Sequence, residues 1–296
     1  MTRTLTRIAA LAFALAVLLI GVSAYIRLAQ GGLGCAPWPD CYALLGEPPR
    51  AFPVASLLHR VSASLLGILV LLLTVGAWRQ RQGRMLSIVI LAITIALAAL
   101  GVRSGGLLMP AVVLGNFFGG LLLATLLGGW LLRGRGTDTV AIPGRAAPLV
   151  LLVLSAAVIA TGIGSSAFYG NAVCPTLFDC GTLHSPLQLG WFEPLALDAG
   201  GHVVTPAGAA TLQWLHRLSG VALMAGFALL LFTLRRYRAG ALAGLAVTSM
   251  AVLIGLTATG GGVPIAAAVI HSLSGLALML VLLPILRRRR GTHPGR

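Results

Sequence analysis

The sequence predicts an all-α integral membrane protein of eight transmembrane helices, built as two copies of one four-helix unit. Three observations carry this. Of 296 residues, 58% are hydrophobic and only 9% charged, with a mean hydropathy of +0.97, whereas a soluble domain carries about a quarter charged residues. Apolar runs of about 17–23 residues recur, long enough for helices to cross a hydrocarbon core of about 30 Å. The chain also repeats itself. CAPWPDC at 35–41 answers CPTLFDC at 174–180, and each is followed by a helix headed by a His-Arg pair, LLHRVSASLLG at His59-Arg60 and WLHRLSGVALM at His216-Arg217. A third echo pairs VVLGNFFGGLLL (113–124) with AVIHSLSGLALM (268–279), which sets Asn116 against His271.

The elements follow in order. The first span, 8–26, comes after Arg3 and Arg7 and ends at Val22-Ser23-Ala24, an arrangement that imitates a signal peptide. It is read as a helix because it matches span five in the repeat. Span two, 54–77, carries Ser56, His59 and Arg60, and span three is 85–102. Span four, 111–132, carries Asn116 and the pair Gly115/Gly119, whose small-xxx-small spacing favours close helix packing. Spans five to eight are 147–165, 209–234, 242–258 and 265–286. Gly260-Gly261-Gly262 with Pro264 reads as the turn between the last two. The segment 166–208, with Trp191 and Phe192, either lies on the membrane surface or covers a cofactor edge. The halves are 1–135 and 147–296, joined by a linker at 136–146.

The net charge of +15 would point to nucleic acid in a soluble protein. Here every basic residue is Arg, and nearly all stand at the ends of apolar runs, where they set topology. No nucleic-acid partner is expected; the partner is the lipid bilayer. Clusters at Arg3/Arg7, Arg79/Arg81/Arg84, Arg133/Arg135/Arg145, Arg235/Arg236/Arg238 and Arg287–Arg290 mark the cytoplasmic side. Both termini are therefore placed inside, in a multi-pass protein of the bacterial cytoplasmic membrane. The six acids, Asp40, Glu47, Asp138, Asp179, Glu193 and Asp198, all lie in loops. Proton-coupled transport through a chain of buried acids is accordingly disfavoured.

All four cysteines fall in outer loops, an oxidising location, and read as disulfides Cys35–Cys41 and Cys174–Cys180. A metal site there is the weaker reading, because the loop residues His184 and His202 show no CxxC-type spacing. His293 lies in the tail.

Spans two, four, six and eight all enter from the outside. His59, Asn116, His216 and His271 each lie five to seven residues into their spans, so at about 1.5 Å rise per residue they share one depth. His216 and His271 can then face each other across the bundle interior. Two inward imidazoles at matched depth are what a six-coordinate haem iron requires. The bland alternative is a histidine that hydrogen-bonds between helices. Arg60 and Arg217 follow the helix histidines, and Arg27 precedes the first cysteine loop. They either bind haem propionates bidentately or snorkel to headgroups.

These pieces together, AYIRLAQGGLGCAPWPDC (24–41), the two HR-headed helices, the paired loop cysteines and the His271 helix, resemble the haem A synthase family of cytochrome oxidase assembly. The resemblance implies two four-helix bundles related by a pseudo-twofold axis. It implies haem b held by His216 and His271 in the C-terminal half, and haem O as substrate in the N-terminal half. There a ring methyl becomes a formyl group by successive hydroxylations, using O2 and electrons from an external membrane donor. Haem O synthase is a possible partner, as is a second copy of the chain. The sequence departs from the family where the chemistry is assigned: Ser56 stands in place of a Glu, and Asn116 in place of the second N-terminal His. His59 remains as substrate-haem ligand, leaving an open axial position, with Asn116 as a weak ligand or hydrogen-bond donor. Ser56 cannot replace a carboxylate as acid. Gln213 holds the equivalent place in the other half. Two readings follow: a haem A synthase-like oxidoreductase, or a non-catalytic haem b-binding cytochrome or assembly factor.

Overall fold

A computed structural model describes residues 2–31, 51–103, 109–133, 146–170, 174, 180, 189–199, 203–234, 237–257 and 265–286. The described residues form eight long helices: α1 (Arg3–Gly31), α2 (Ala51–Arg79), α3 (Arg84–Arg103), α4 (Pro110–Leu132), α5 (Ala146–Ala167), α6 (Gly208–Thr233), α7 (Arg238–Thr257) and α8 (Ile265–Leu286). All eight contain a stretch long and apolar enough to cross a membrane, so the chain is an all-α membrane protein. Its expected spans match these helices to within five residues at either end. α2 extends from 54–77 to Ala51 and Arg79, α8 keeps the bounds 265–286, and α6 ends at Thr233 against an expected 234.

Apolar residues surround each helix, and packing is decided by shape. On α1 the buried positions Ala9, Ala12, Ala16, Ile20 and Ala24 recur every three or four residues, the period of one helix face. They form a shallow stripe against which α2 lays Leu66, Val70, Leu73 and Ala77, in the same core cluster. Leu57, Leu65, Ile68 and Leu72 of α2 stay exposed, as lipid-facing residues do in a helix that is apolar all round. Several buried hydroxyls are satisfied by backbone carbonyls, while that of Ser155 has no partner among the described residues. Thr74 Oγ1 donates to the Val70 carbonyl at 2.9 Å and lies 3.2 Å from that of Ser87, and Thr248 donates to Gly244 at 2.8 Å. The glycine pair on α4 meets α3: a Cβ on Gly115 would come within 2.9 Å of Leu100, and one on Gly119 within 2.7 Å of Leu97.

Helices α1–α4 pack in a closed ring, α1 against α2, α2 against α3, α3 against α4 and α4 against α1, and α5–α8 repeat that pattern. The rings meet through α1 with α8, α4 with α5, and α4 with α8. Exchanging α1 with α5 and α4 with α8 leaves this set of contacts unchanged, as a twofold relation requires. One difference breaks the symmetry. α1 and α4 pack closely, whereas α5 and α8 touch only lightly, so the second ring is the more open.

The segment after α5 caps one end of the bundle. The Trp191 carbonyl accepts from the Ala111 amide at 2.9 Å, and the Trp191 ring meets Phe168 edge-on at 4.7 Å. Leu189, Trp191 and Leu195 close over Val113, Phe168, Ala209 and Leu212. Trp191 thus packs over this end of the bundle, while Phe192 beside it is 82% exposed.

Candidate functional site

The open ring encloses a cavity of about 300 Å³ lined by His216 of α6 and His271 of α8, within the range of ligand pockets. The two imidazole rings stand 5.8 Å apart between centroids, with planes at 82°. Imidazole nitrogens bind metal ions at about 2 Å, so two rings on opposite sides of one ion have centroids roughly 6 Å apart. The observed separation fits that arrangement.

Each ring is held by a backbone carbonyl. His216 Nδ1 lies 3.0 Å from the Val158 oxygen on α5, and His271 Nδ1 lies 3.0 Å from the Ala251 oxygen on α7. A carbonyl only accepts, so Nδ1 carries the proton in both. Nε2 is then the lone-pair nitrogen, the tautomer a metal ligand needs. A carbonyl in this position also fixes ring orientation. Neither carbonyl is a sequence signal, because every residue has one.

The loop-covered end of the cavity is polar. Arg27, Ser165, Ser166, Tyr169, Gln213 and Arg217 line it there, and residues such as Leu121, Leu223 and Leu278 line it further in. Arg27 comes from α1, crosses to the second ring, and is only 7% exposed. Its Nη1 donates to the Ser166 carbonyl at 2.9 Å, and its buried Nε has no acceptor among the described residues. Tyr169, just past α5, donates its hydroxyl to the Arg27 carbonyl at 3.4 Å and adopts a left-handed φ of 54°. Burial pushes the Tyr169 phenol above its ordinary value, with the Arg27 charge pulling the other way; it stays protonated as a donor. Ser165 donates to Gln213, which lies one turn before His216. Arg217 Nη1 donates to Cys180 Sγ at 3.3 Å, and Cys180 is bonded to Cys174 with S–S 2.11 Å.

A planar amphipathic ligand with carboxylates on one edge and two axial positions matches these features. The orphaned Arg27 donor is the sharpest of them, since a buried N–H without an acceptor costs about 1–3 kcal/mol and an anion would take it.

The N-terminal counterparts do not join this cavity. Ser56 and His59 on α2 and Asn116 on α4 are half-buried, and Arg60 is exposed. Their places along the helices nonetheless match their partners. His59 and His216 each stand eight residues beyond the first residue of α2 and α6, Ala51 and Gly208, while Asn116 and His271 each stand six beyond Pro110 and Ile265. Cys35, Cys41, His184, His202, His293, linker residues 136–145 and the glycine turn at 260–264 lie outside the described residues, and Ala146, the linker's last residue, opens α5.

The fold and site define a polytopic membrane protein with one paired-histidine cavity. No family profile matches the chain. Over 92% of its length, and 92% of the relative's, the chain is 28% identical to a heme A synthase of Shewanella oneidensis. That end-to-end likeness supports membership of the haem A synthase family.

Proposed function

We propose that the chain is a haem A synthase-like oxidoreductase of the bacterial cytoplasmic membrane, oxidising a methyl group of haem O to the formyl group of haem A. Its termini are cytoplasmic and the loop-covered end faces outward. The C-terminal half, 147–296, would hold haem b between His216 and His271, with Arg27 and Arg217 toward the propionates. When bound, that haem would supply an electron relay. The chain's own residues fix both imidazoles, seal the polar end beneath Trp191, and present cations to carboxylates. The N-terminal half, 1–135, would receive haem O at His59, with Arg60 near its edge. Oxidised cysteine pairs, Cys35–Cys41 and Cys174–Cys180, would brace the outer loops. The supporting observation is the carbonyl-held histidine pair facing one cavity, in a chain resembling a heme A synthase end to end.

A second reading rests on Ser56 and Asn116. With no carboxylate in the spans of the N-terminal half and no second histidine there, the chain would be a haem b-binding cytochrome or assembly factor. Expression in a host that makes haem O but lacks haem A synthase separates the two. Chromatography of extracted haem should show haem A or its hydroxylated precursor. Haem b alone, with haem O and an electron donor present, would leave the second reading standing.

A further inference from the structure

Both imidazoles are held by the same local device. On α5, the carbonyl that receives His216 belongs to Val158, and four residues on is Gly162. On α7, the carbonyl that receives His271 belongs to Ala251, and four residues on is Gly255. In a helix the carbonyl of residue i lies beside residue i+4, whose N–H it accepts. The Cβ of residue i+4 tilts back toward the helix N-terminus, over that carbonyl. A side chain reaching the carbonyl's second lone pair therefore passes close to that Cβ position. A Cβ on Gly162 would stand 2.7 Å from His216 Cε1 and 2.8 Å from Nδ1, and one on Gly255 would stand 3.5 Å and 3.9 Å from the same atoms of His271.

We infer that Gly162 and Gly255 are positioning residues of the paired-histidine site. Each opens its helix surface so that an imidazole can reach the carbonyl one turn earlier, which sets the ring and leaves Nε2 as the ligand atom. The inference rests on the proposed haem ligation by His216 and His271.

The test compares purified full-length protein with Gly162→Ala, Gly255→Ala and Gly255→Val variants, with Gly67→Ala as a control where no other group lies within 4 Å. His216→Ala and His271→Ala run in parallel. Haem content, the low-spin bis-imidazole spectrum and the midpoint potential are read on samples matched for monodispersity and thermal midpoint. Gly162→Ala should lower haem occupancy at least fivefold or convert the remainder from low spin. Gly255→Ala, whose Cβ would make ordinary contact with the His271 ring, should keep the spectrum and potential, and Gly255→Val, which reaches further, should match Gly162→Ala. Should Gly162→Ala not fold, the two Gly255 variants decide. If both histidine variants remove the low-spin haem while folded Gly162→Ala and Gly255→Val keep its spectrum and potential, the glycine inference is wrong. If the histidine variants themselves keep that haem, the ligation reading fails first.

Discussion

A guanidinium buried at the end of a membrane-spanning helix is costly unless its donors are met, and Arg27 meets only part of that need within the protein. Nη1 reaches the Ser166 carbonyl, while Nε finds no acceptor among the described residues. An apolar residue of similar length removes the orphan. Arg27→Met should therefore leave the haem-free protein as stable as the parent, or more so. Haem retention should fall about tenfold or more, because a hydrogen bond to a charged group contributes about 1.5–3 kcal/mol. Thermal unfolding of both forms and haem titration read the two effects separately; a less stable apoprotein that keeps haem as well as the parent does would count against an anion-binding role. At this scale the sequence was informative about histidines, since a polar group inside an apolar run is conspicuous. It left Arg27 between propionate and headgroup, because choosing requires knowing that its side chain reaches the Ser166 carbonyl of α5. Tyr169 and the carbonyls of Val158 and Ala251 carried no signal.

Spans are legible because hydropathy reports solvent, and six of the eight expected segments fall wholly inside helices, the other two (209–234 and 242–258) running one residue past Thr233 and Thr257. Which face of a span meets which neighbour is another matter, since helices apolar all round carry no stripe to read. Glycine spacing illustrates the limit. Gly115 and Gly119 stand out by spacing and do meet α3, but Gly240 and Gly244 on α7 share that spacing, and Gly244 is the tighter contact, its Cβ position overlapping the fully buried Phe227 ring. The opposing atoms at Gly119 are the far end of the flexible Leu97 side chain, whereas a buried ring cannot swing aside. Gly244→Ala should therefore cost about 1–3 kcal/mol through overpacking and Gly119→Ala less. Gly67→Ala, facing open space, should be neutral or stabilising by about 0.5–1 kcal/mol through helix propensity. Thermal midpoints in detergent test the ranking; equal losses at Gly244 and Gly119 would refute the ring-against-chain distinction.

The whole molecule is a repeat whose halves have diverged, and the divergence is visible at two levels. The helix offsets of His59 and His216, and of Asn116 and His271, remain matched to the residue, so duplication preserved depth. Packing did not stay matched: the first ring has α1 and α4 in close contact, while in the second α5 and α8 touch only lightly beside the cavity. The repeat and the substitution at Asn116 were legible as letters. The difference in openness was not, because it arises from how side chains on eight helices fill space together. The asymmetry makes the two helix histidines separable. In a host without haem O, the purified protein should carry one low-spin haem b per chain, lost in His216→Ala and kept in His59→Ala, because His59 does not line the cavity that holds the histidine pair. With haem O supplied, His59→Ala should instead lose any haem A formation while its haem b spectrum persists. Loss of haem b in His59→Ala to the same extent as in His216→Ala, in protein of unchanged thermal midpoint, would mean that the halves do not act as separate sites and that haem O binding at His59 must be abandoned.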